Sequence, residues 1–419
     1  MNTFLIPANG YRWAIPTLEG EFNSRLDFDC IITSENLLNV WEQMATGVLK
    51  APGPDGNRYQ DLTKTEFGKV ARELKRQIRD GNWRPGSTRS VSWQKPDGRG
   101  TREIAIRNMS DQVVSKAVSR PIISALEAIL PPSCFAYRPG KSSLHLLAQL
   151  RYLIETTGHT VVAEQDIRNA FGSVDIERVV LNFSRQLLPN ESDRELLNLI
   201  ETILKGNMQS LVGIEQGDSL SPPTLNLRLY CCLDLPSSQT TSHDRITQKA
   251  RFSDNVIYLA ESVHDGQRAL EEDRQVLRDT EFSFKESGRY PVDLRRRGSS
   301  IEILGLKLRL EGDQVMFDLG RYAIRNLSKA LANARNQSNS VFAAKQILVG
   351  WINEYGAVFE CYGPWRYLPI IKEVIRDCGL HEYHSDTWLL ERMGEAIRIW
   401  ETVCVDALDG WSATNDIAS

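Results

Sequence analysis

Apolar and polar positions change period several times along the chain, and each change marks an element. From Thr33 the period is helical over about residues 35–48. Leu37, Leu38, Trp41, Met44 and Val48 share one face, Thr33 or Ser34 stands at the N-cap, and Pro52-Gly53-Pro54-Asp55-Gly56 stops the run. Residues 83–106 then read as an antiparallel hairpin: Val91-Ser92-Trp93-Gln94-Lys95 goes up, Pro96-Asp97-Gly98-Arg99-Gly100 turns, and residues 101–106 return. Residues 111–129 form an amphipathic helix, 131–143 a loop containing Tyr137-Arg138-Pro139-Gly140, and 144–155 another helix. Val161-Val162-Ala163 has the look of a short buried strand, and Asp166 follows at its end. A helix is expected over about 223–233. Ala250-Arg251-Phe252 and Val256-Ile257-Tyr258-Leu259 are strand-like runs around Ser253-Asp254-Asn255, where Asp and Asn tolerate the positive φ of a tight hairpin turn. From Leu319 the pattern is helical over 322–336, 341–360, 367–377 and 387–408. In the last of these Trp388, Leu389, Met393, Ile397, Trp400 and Val403 recur at helical spacing, a core or partner face.

Composition narrows the class. The chain has 419 residues, enough for two or three domains with ample cores, and is 41% hydrophobic and 25% charged, as a soluble globular protein is. No run of about 18 apolar residues exists, so no membrane span is expected. The start, MNTFLIPANGYRW, lacks the features of a signal peptide. Seven cysteines without C-x-x-C spacing argue against a disulfide framework and a zinc site, and Cys231-Cys232 are expected in a core element. These features point to the cytoplasm. The net charge of −4 hides an asymmetry. Residues 58–120 hold 15 Lys/Arg against 7 Asp/Glu, a net of +8, whereas 380–419 hold 2 against 8, a net of −6. The basic stretch suits a phosphate backbone or a solvated helix face; the acidic tail is freer to meet protein.

Two carboxylates suggest chemistry. Taken singly, Asp166 reads as a cap or turn residue and Asp254 as a hairpin tip. Taken together they could bridge two Mg²⁺ ions roughly 3.5–4 Å apart, activating a primer 3′-hydroxyl and steadying a leaving pyrophosphate.

An ordered series of motifs surrounds them. LKAPGPDG at 49–56 resembles apGpDG, WQKPDGRGTREIAI at 93–106 resembles KpdG…R.i.i, and DQVVSKAV with FAYRPGKSS resembles Drivq.a followed by GFRPgrs. VVAEQDIRNAF matches a first catalytic motif, GIEQGDSLSPPTLNLRLYCCLD resembles Gv.QG.plSP.l.Ni.l..LD, and ARFSDNVIYL a Y.DD hairpin. LGLKL at 304–308 resembles LGf.l, and LVGWINEYG at 348–356 resembles l.GW..Y. The series, over roughly residues 41–360, resembles the reverse transcriptases of the group II intron-like bacterial lineage. The resemblance implies an α+β right-hand polymerase whose fingers and palm carry antiparallel sheet and whose thumb is helical. The expected division is an N-terminal extension (1–33), fingers (34–160), palm (161–318, with part of the fingers near 176–212), and thumb with C-terminal helices (319–419). No Cys/His cluster of the intron endonuclease follows, so the chain looks most like the stand-alone enzymes, many of which serve in phage defence with a dedicated non-coding RNA.

Roles carry over residue by residue. Asp166, the Ile167 backbone and Asp254 are the implied ligands of two Mg²⁺, with Mn²⁺ able to substitute, and Asn255 completes the catalytic hairpin. Lys95, Arg102, Ile167, Phe171, Gln216 and Lys285 are the implied nucleotide contacts. Phe171 bars a ribose 2′-hydroxyl unless it is plain core, and Lys285 lies near the leaving pyrophosphate. Arg138, Lys141, Gly217, Leu304 and Gly305 are the implied template and primer contacts. The expected partners are template RNA, dNTPs and the DNA product, with a protein partner or second copy on the C-terminal helices and no membrane.

Two positions depart from the pattern. Asn255 stands where the family has a second aspartate, so the site loses a charge. Asn255 is compatible with an active low-charge enzyme, with a substitution made to trap a complex, and with a silent RNA-binding scaffold paired with an active partner. A nucleotidyl transferase that makes DNA without a nucleic-acid template is a further alternative. Asp218, after Gln216-Gly217, replaces a small or uncharged residue and is expected to bring negative charge near the template.

Overall fold

Capping chemistry sets the first elements. The structure, a computed structural model, describes residues 26–46, 51–95, 100–185, 191–207, 209–240, 247–286, 289–336, 339–380 and 385–415. In chain order these hold α1 (Phe28–Ile31), α2 (Ser34–Ala45), α3 (Lys64–Arg79), β1 (Arg89–Gln94), β2 (Thr101–Ile106), α4 (Met109–Leu126), α5 (Ser143–Thr157) and β3 (Val161–Asp166). Then come α6 (Ala170–Ser173), α7 (Ile176–Ser184), α8 (Glu191–Lys205), α9 (Ser221–Leu229), α10 (Leu235–Thr240), β4 (Thr247–Phe252), β5 (Asn255–Ala260) and α11 (Val263–Leu277). β6 (Arg289–Asp293), β7 (Ile301–Ile303), β8 (Leu306–Glu311) and β9 (Gln314–Leu319) precede the last helices, α12 (Ala323–Arg335), α13 (Ser340–Glu354), α14 (Gly356–Tyr362), α15 (Pro364–Asp377) and α16 (Asp386–Asn415). The chain thus combines many helices with antiparallel strand pairs: β1–β2, β3–β6, β4–β5, β7–β8 and β8–β9. Among the described residues no helix is long and apolar enough to cross a membrane.

Contacts divide the chain into two compact units. The first comprises Met1–Gly140, Asp166–Thr241 and Glu272–Glu286; the second comprises Lys141–Gln165, Ser242–Glu271 and Ser287–Ser419. Both are discontinuous in sequence.

In the first unit Thr33 caps α2 by accepting a hydrogen bond from the Asn36 N–H at 3.0 Å, and Trp41 stacks on Phe67 of α3 with ring centroids 4.9 Å apart. α2 ends at Ala45, and Val40 joins Leu37 and Trp41 in its buried face. Val48 and most of the 1–33 extension lie outside the described residues. Of that extension's acids, Asp27 caps α1 and Asp29 pairs with Arg79. The 111–129 helix is α4, and it is not amphipathic. Burial runs around most of it and includes Asp111, Ser115 and Ser119, because other elements enclose it. The 223–233 helix begins two residues early, as α9, and loosens into a π-helical turn at Tyr230–Asp234. That turn holds Cys231 and Cys232. Burial pushes the Cys232 thiol up to about 12, which makes it inert, and among the described residues no disulfide joins the cysteines.

The second unit is built on a four-stranded sheet in the order β4-β5-β3-β6 and a three-stranded sheet β7-β8-β9. The helix expected over 341–360 breaks at Tyr355 into α13 and α14. Just after the break, a Cβ at Gly356 would lie 2.3 Å from the Ala396 carbonyl oxygen, so only glycine lets α16 pass this close. α16 buries Leu389, Met393, Ala396, Trp400 and Val403, and Trp400 meets Phe317 of β9 edge-on at 5.5 Å. The expected apolar face is therefore largely core.

Candidate nucleotidyl-transfer site

β3 delivers Asp166. Val162 and Ala163 are fully buried, and Gln165 is tied by its Nε2, which donates to Tyr258 Oη and to the Leu270 carbonyl at 3.1 Å each. The strand is thus fixed up to the residue before the carboxylate. Asp166 itself is half-exposed, and the segment Ser283–Lys285 runs beside it. The Arg168 N–H donates to the Ser283 carbonyl at 2.8 Å, Ile167 bridges Phe284, and the Lys285 N–H donates to the Asp166 carbonyl at 2.9 Å. The Lys285 Nζ stands 2.7 Å from Asp166 Oδ1. Lys285 also lines a recess of about 440 Å³ with Arg274, Arg278 and Phe282. Ile167 is completely buried, so only its backbone could meet a ligand. Asn169 then takes a left-handed conformation (φ 46°) that starts α6 and leads to Phe171. The Phe171 ring is half-buried and meets Tyr137 edge-on at 6.4 Å, so it is not a plain core residue.

The β4–β5 hairpin closes with a two-residue turn. Phe252 pairs with Asn255, leaving Ser253 and Asp254 at the tip. The positive φ expected of Asp254 or Asn255 falls on Ser253, at 58°. Arg251 fixes that conformation: it is 1% exposed and donates to the Ser253 carbonyl at 3.1 Å. Nothing in the sequence of β4, TQKARF, sets Arg251 apart as buried. Next to Asp254, the Asn255 Oδ1 is buried and accepts no hydrogen bond.

Asp166 and Asn255, each within its own unit, carry oxygen donors of the kind a hard cation takes. Asp166 already holds a positive charge, and Asn255 offers an orphaned buried oxygen beside a carboxylate. Asp166 belongs to the first unit, and Asp254 and Asn255 to the second. Among the described residues no group of three or more His, Cys, Asp or Glu is arranged to hold a metal.

The first unit assembles several other expected residues. In β1–β2, Trp93 pairs with Arg102, and the Lys95 N–H donates to the Gly100 carbonyl at 3.1 Å. Alternation places Lys95, Trp93 and Arg102 on one face, and Trp93 is 63% exposed. Residues 96–99 of the turn lie outside the described residues. Gln216 and Gly217 pack on β2, the Gln216 carbonyl accepting from the Ala105 N–H at 2.7 Å.

Three expectations change. Asp218 does not reach toward a template: its side chain is buried and paired with Arg107 at 3.0 Å, because α4 and β2 enclose it. Arg138 is spent internally. It grips Glu127 and donates to the carbonyls of Pro131 and Cys134 at 2.7 and 2.9 Å, which fixes the loop and leaves little for a phosphate. Lys141, expected beside Arg138, begins a segment of the other unit. Leu304 and Gly305 are the turn between β7 and β8, both with positive φ (47° and 88°). A further buried pair was missed: Arg228 of α9 grips Glu281 through two bonds of 2.7 Å, anchoring the segment that leads to Lys285.

No protein-family model matches the chain, and no curated protein sequence matches it. Among solved structures it is similar to a telomerase from Candida albicans determined in complex with the TWJ fragment of telomeric RNA. The identity is 10% and the TM-score 0.43, over 80% of this chain and 63% of that one. The chain therefore spans less than two thirds of the length of that relative.

Proposed function

We propose that the chain is a reverse transcriptase, an RNA-directed DNA polymerase of right-hand layout that adds dNTPs to a primer end. The observation that carries the reading is Asp166: a half-exposed carboxylate at the end of a rigid core strand, already holding a cation, within the ordered motif series. Asp166, the Ile167 carbonyl and Asp254 would hold two Mg²⁺ ions, which would lower the pKa of the primer hydroxyl and neutralise developing charge. The chain's own side chains do the rest. Lys285 balances the departing pyrophosphate, Lys95 and Arg102 neutralise the triphosphate, and Phe171 packs beneath the sugar and leaves no room for a 2′-hydroxyl. Gln216 and Gly217 lie along the nascent base pair, and Leu304 and Gly305 hold the primer. RNA template, dNTPs and DNA product are the partners. Work in phage defence with a dedicated non-coding RNA, in the cytoplasm, follows from the resemblance alone.

One residue supports a second reading. Asn255 removes a carboxylate, which favours a silent RNA-binding scaffold. The deciding experiment is Mg²⁺-dependent dNTP incorporation on a primed RNA template by the purified chain and by Asp166→Ala and Asp254→Ala. Synthesis by the parent and none by either folded variant is expected. Undiminished synthesis by a variant removes that residue from the site, and silence of the parent, with its RNA and any partner protein bound, favours the scaffold.

A further inference from the structure

Arg107 directly follows β2 and is 3% exposed. Its Nε stands 2.7 Å from Glu215 Oε2 and 3.0 Å from Asp218 Oδ2, and its Nη2 donates to the Ile203 carbonyl at 2.8 Å. Asp218 is held from its other side, its Oδ1 accepting from Ser115 Oγ at 2.7 Å and from the Leu220 N–H at 2.8 Å. Asp111, also buried, accepts from the Gly86 N–H at 2.9 Å. Burial pushes the Glu215 and Asp111 carboxyls above the usual range. Such a cluster is a poor way to add stability, since apolar side chains of similar volume commonly do as well or better. What it supplies is geometry.

One guanidinium grips the residues on both sides of Gln216-Gly217, so the ends of that turn are tied to a single point at the base of β2. The turn in turn holds the strand: the Gln216 carbonyl accepts from the Ala105 N–H at 2.7 Å, two residues before Arg107. Gly217 has a φ of 108°, and a Cβ there would lie 2.8 Å from the Ala105 carbonyl oxygen and from Ile104 Cγ2. β2 continues outward to Arg102, opposite Trp93 and on the face of Lys95.

We propose that Arg107, by gripping Glu215 and Asp218 together, is a positioning clamp that fixes the base of the β1–β2 hairpin on the Gln216–Gly217 turn. On the polymerase reading above, the clamp sets where Lys95 and Arg102 stand when a nucleoside triphosphate binds. Asp218 is then a counter-charge required by Arg107.

Two variants test this. Asp218→Asn keeps the shape and the bonds from Ser115 and Leu220 but drops the charge. Arg107→Lys keeps a charge but loses the planar guanidinium, which meets both carboxylates through Nε while Nη2 bonds the Ile203 carbonyl. In both, amide exchange of residues 102–106 and 216–217 should rise about tenfold or more while α2 keeps its protection. Equal loosening of α2, or no change at either place, overturns the clamp. In active protein the KM for dNTP should rise about tenfold with primer–template affinity unchanged. A uniform fall in kcat at constant KM overturns the positioning role. If the parent makes no DNA, the polymerase reading fails by itself, and the exchange measurement still decides the clamp.

Discussion

Lys285 is bonded to Asp166 twice, through its main-chain N–H to the carbonyl at 2.9 Å and through its Nζ to Oδ1 at 2.7 Å. The backbone bond fixes the position of the lysine, and the side-chain pair puts its charge where a metal ion would bind. On the proposed reading a divalent ion would have to displace the ammonium. Lys285→Ala should lower the half-saturating Mg²⁺ concentration about two- to fivefold, the worth of a half-exposed ion pair of about 0.5–1 kcal/mol. The same variant should lower kcat, because the leaving pyrophosphate loses its counter-charge. A Mg²⁺ titration of dNTP incorporation checks both, and a raised Mg²⁺ requirement would count against this role.

On the proposed reading, Phe171 selects the sugar. Its ring is half-buried and edge-on to Tyr137, so a smaller side chain opens space without emptying the core. Phe171→Val should raise the ratio of rNTP to dNTP incorporation by about one order of magnitude or more, the scale on which a packing contact discriminates. An unchanged ratio would mean that the sugar is selected elsewhere.

Asn255 leaves a buried oxygen without a donor and the site one charge short. On the proposed reading two Mg²⁺ ions would bring +4, which Asp166, Asp254 and the triphosphate would have to balance. The parent should need raised Mg²⁺ and should work better with Mn²⁺, which binds N/O ligands more tightly. Asn255→Asp should lower the metal requirement. If it instead switches on an inert parent, Asn255 is a silencing residue; if both stay inert in an intact complex, the chain is not a polymerase.

Asp111 carries a pH signature. Burial raises its carboxyl above the ordinary range, against the lowering pull of the Gly86 N–H and Arg107. A raised folded-state pKa means that the native protein binds more protons than the unfolded chain between about pH 4 and the raised value. Stability contributed by protonated Asp111 is therefore full in acid and lost as pH rises through that window. Asp111→Asn should flatten the fall of the melting midpoint over this range, although Glu215, shifted the same way, should preserve part of it. An unaltered slope would assign the effect to other groups.

What the sequence showed was local. The β1–β2 and β4–β5 hairpins, the Thr33 cap and the strand ending at Asp166 each follow from residues within a few positions of one another. Asp218 was opaque because its meaning lies in Arg107, more than a hundred residues earlier, and in Ser115, which approaches from a helix that reads as amphipathic. Arg138 and Arg228 were opaque for the same reason. Arg138, on a loop, looks like a phosphate ligand until Glu127 is seen, and Arg228, in α9, shows nothing until Glu281 is. Tertiary enclosure also overrode periodicity in α4, and the need for glycine at 356 lies in Ala396 of another helix.

The discontinuity of the first unit bears on the order in which the protein can be made. A ribosome releases Arg228 long before Glu281, and Asp166 long before Lys285, since both partners come from the unit's third segment, Glu272–Glu286. Until that segment emerges, a buried arginine and an exposed carboxylate wait without their counter-charges, while the second unit's Lys141–Gln165 and Ser242–Glu271 have already been synthesised in between. Neither unit can finish as an early N-terminal domain. The nascent chain must keep two partly built bodies open at once, and a chain released before residue 286 cannot complete either of them.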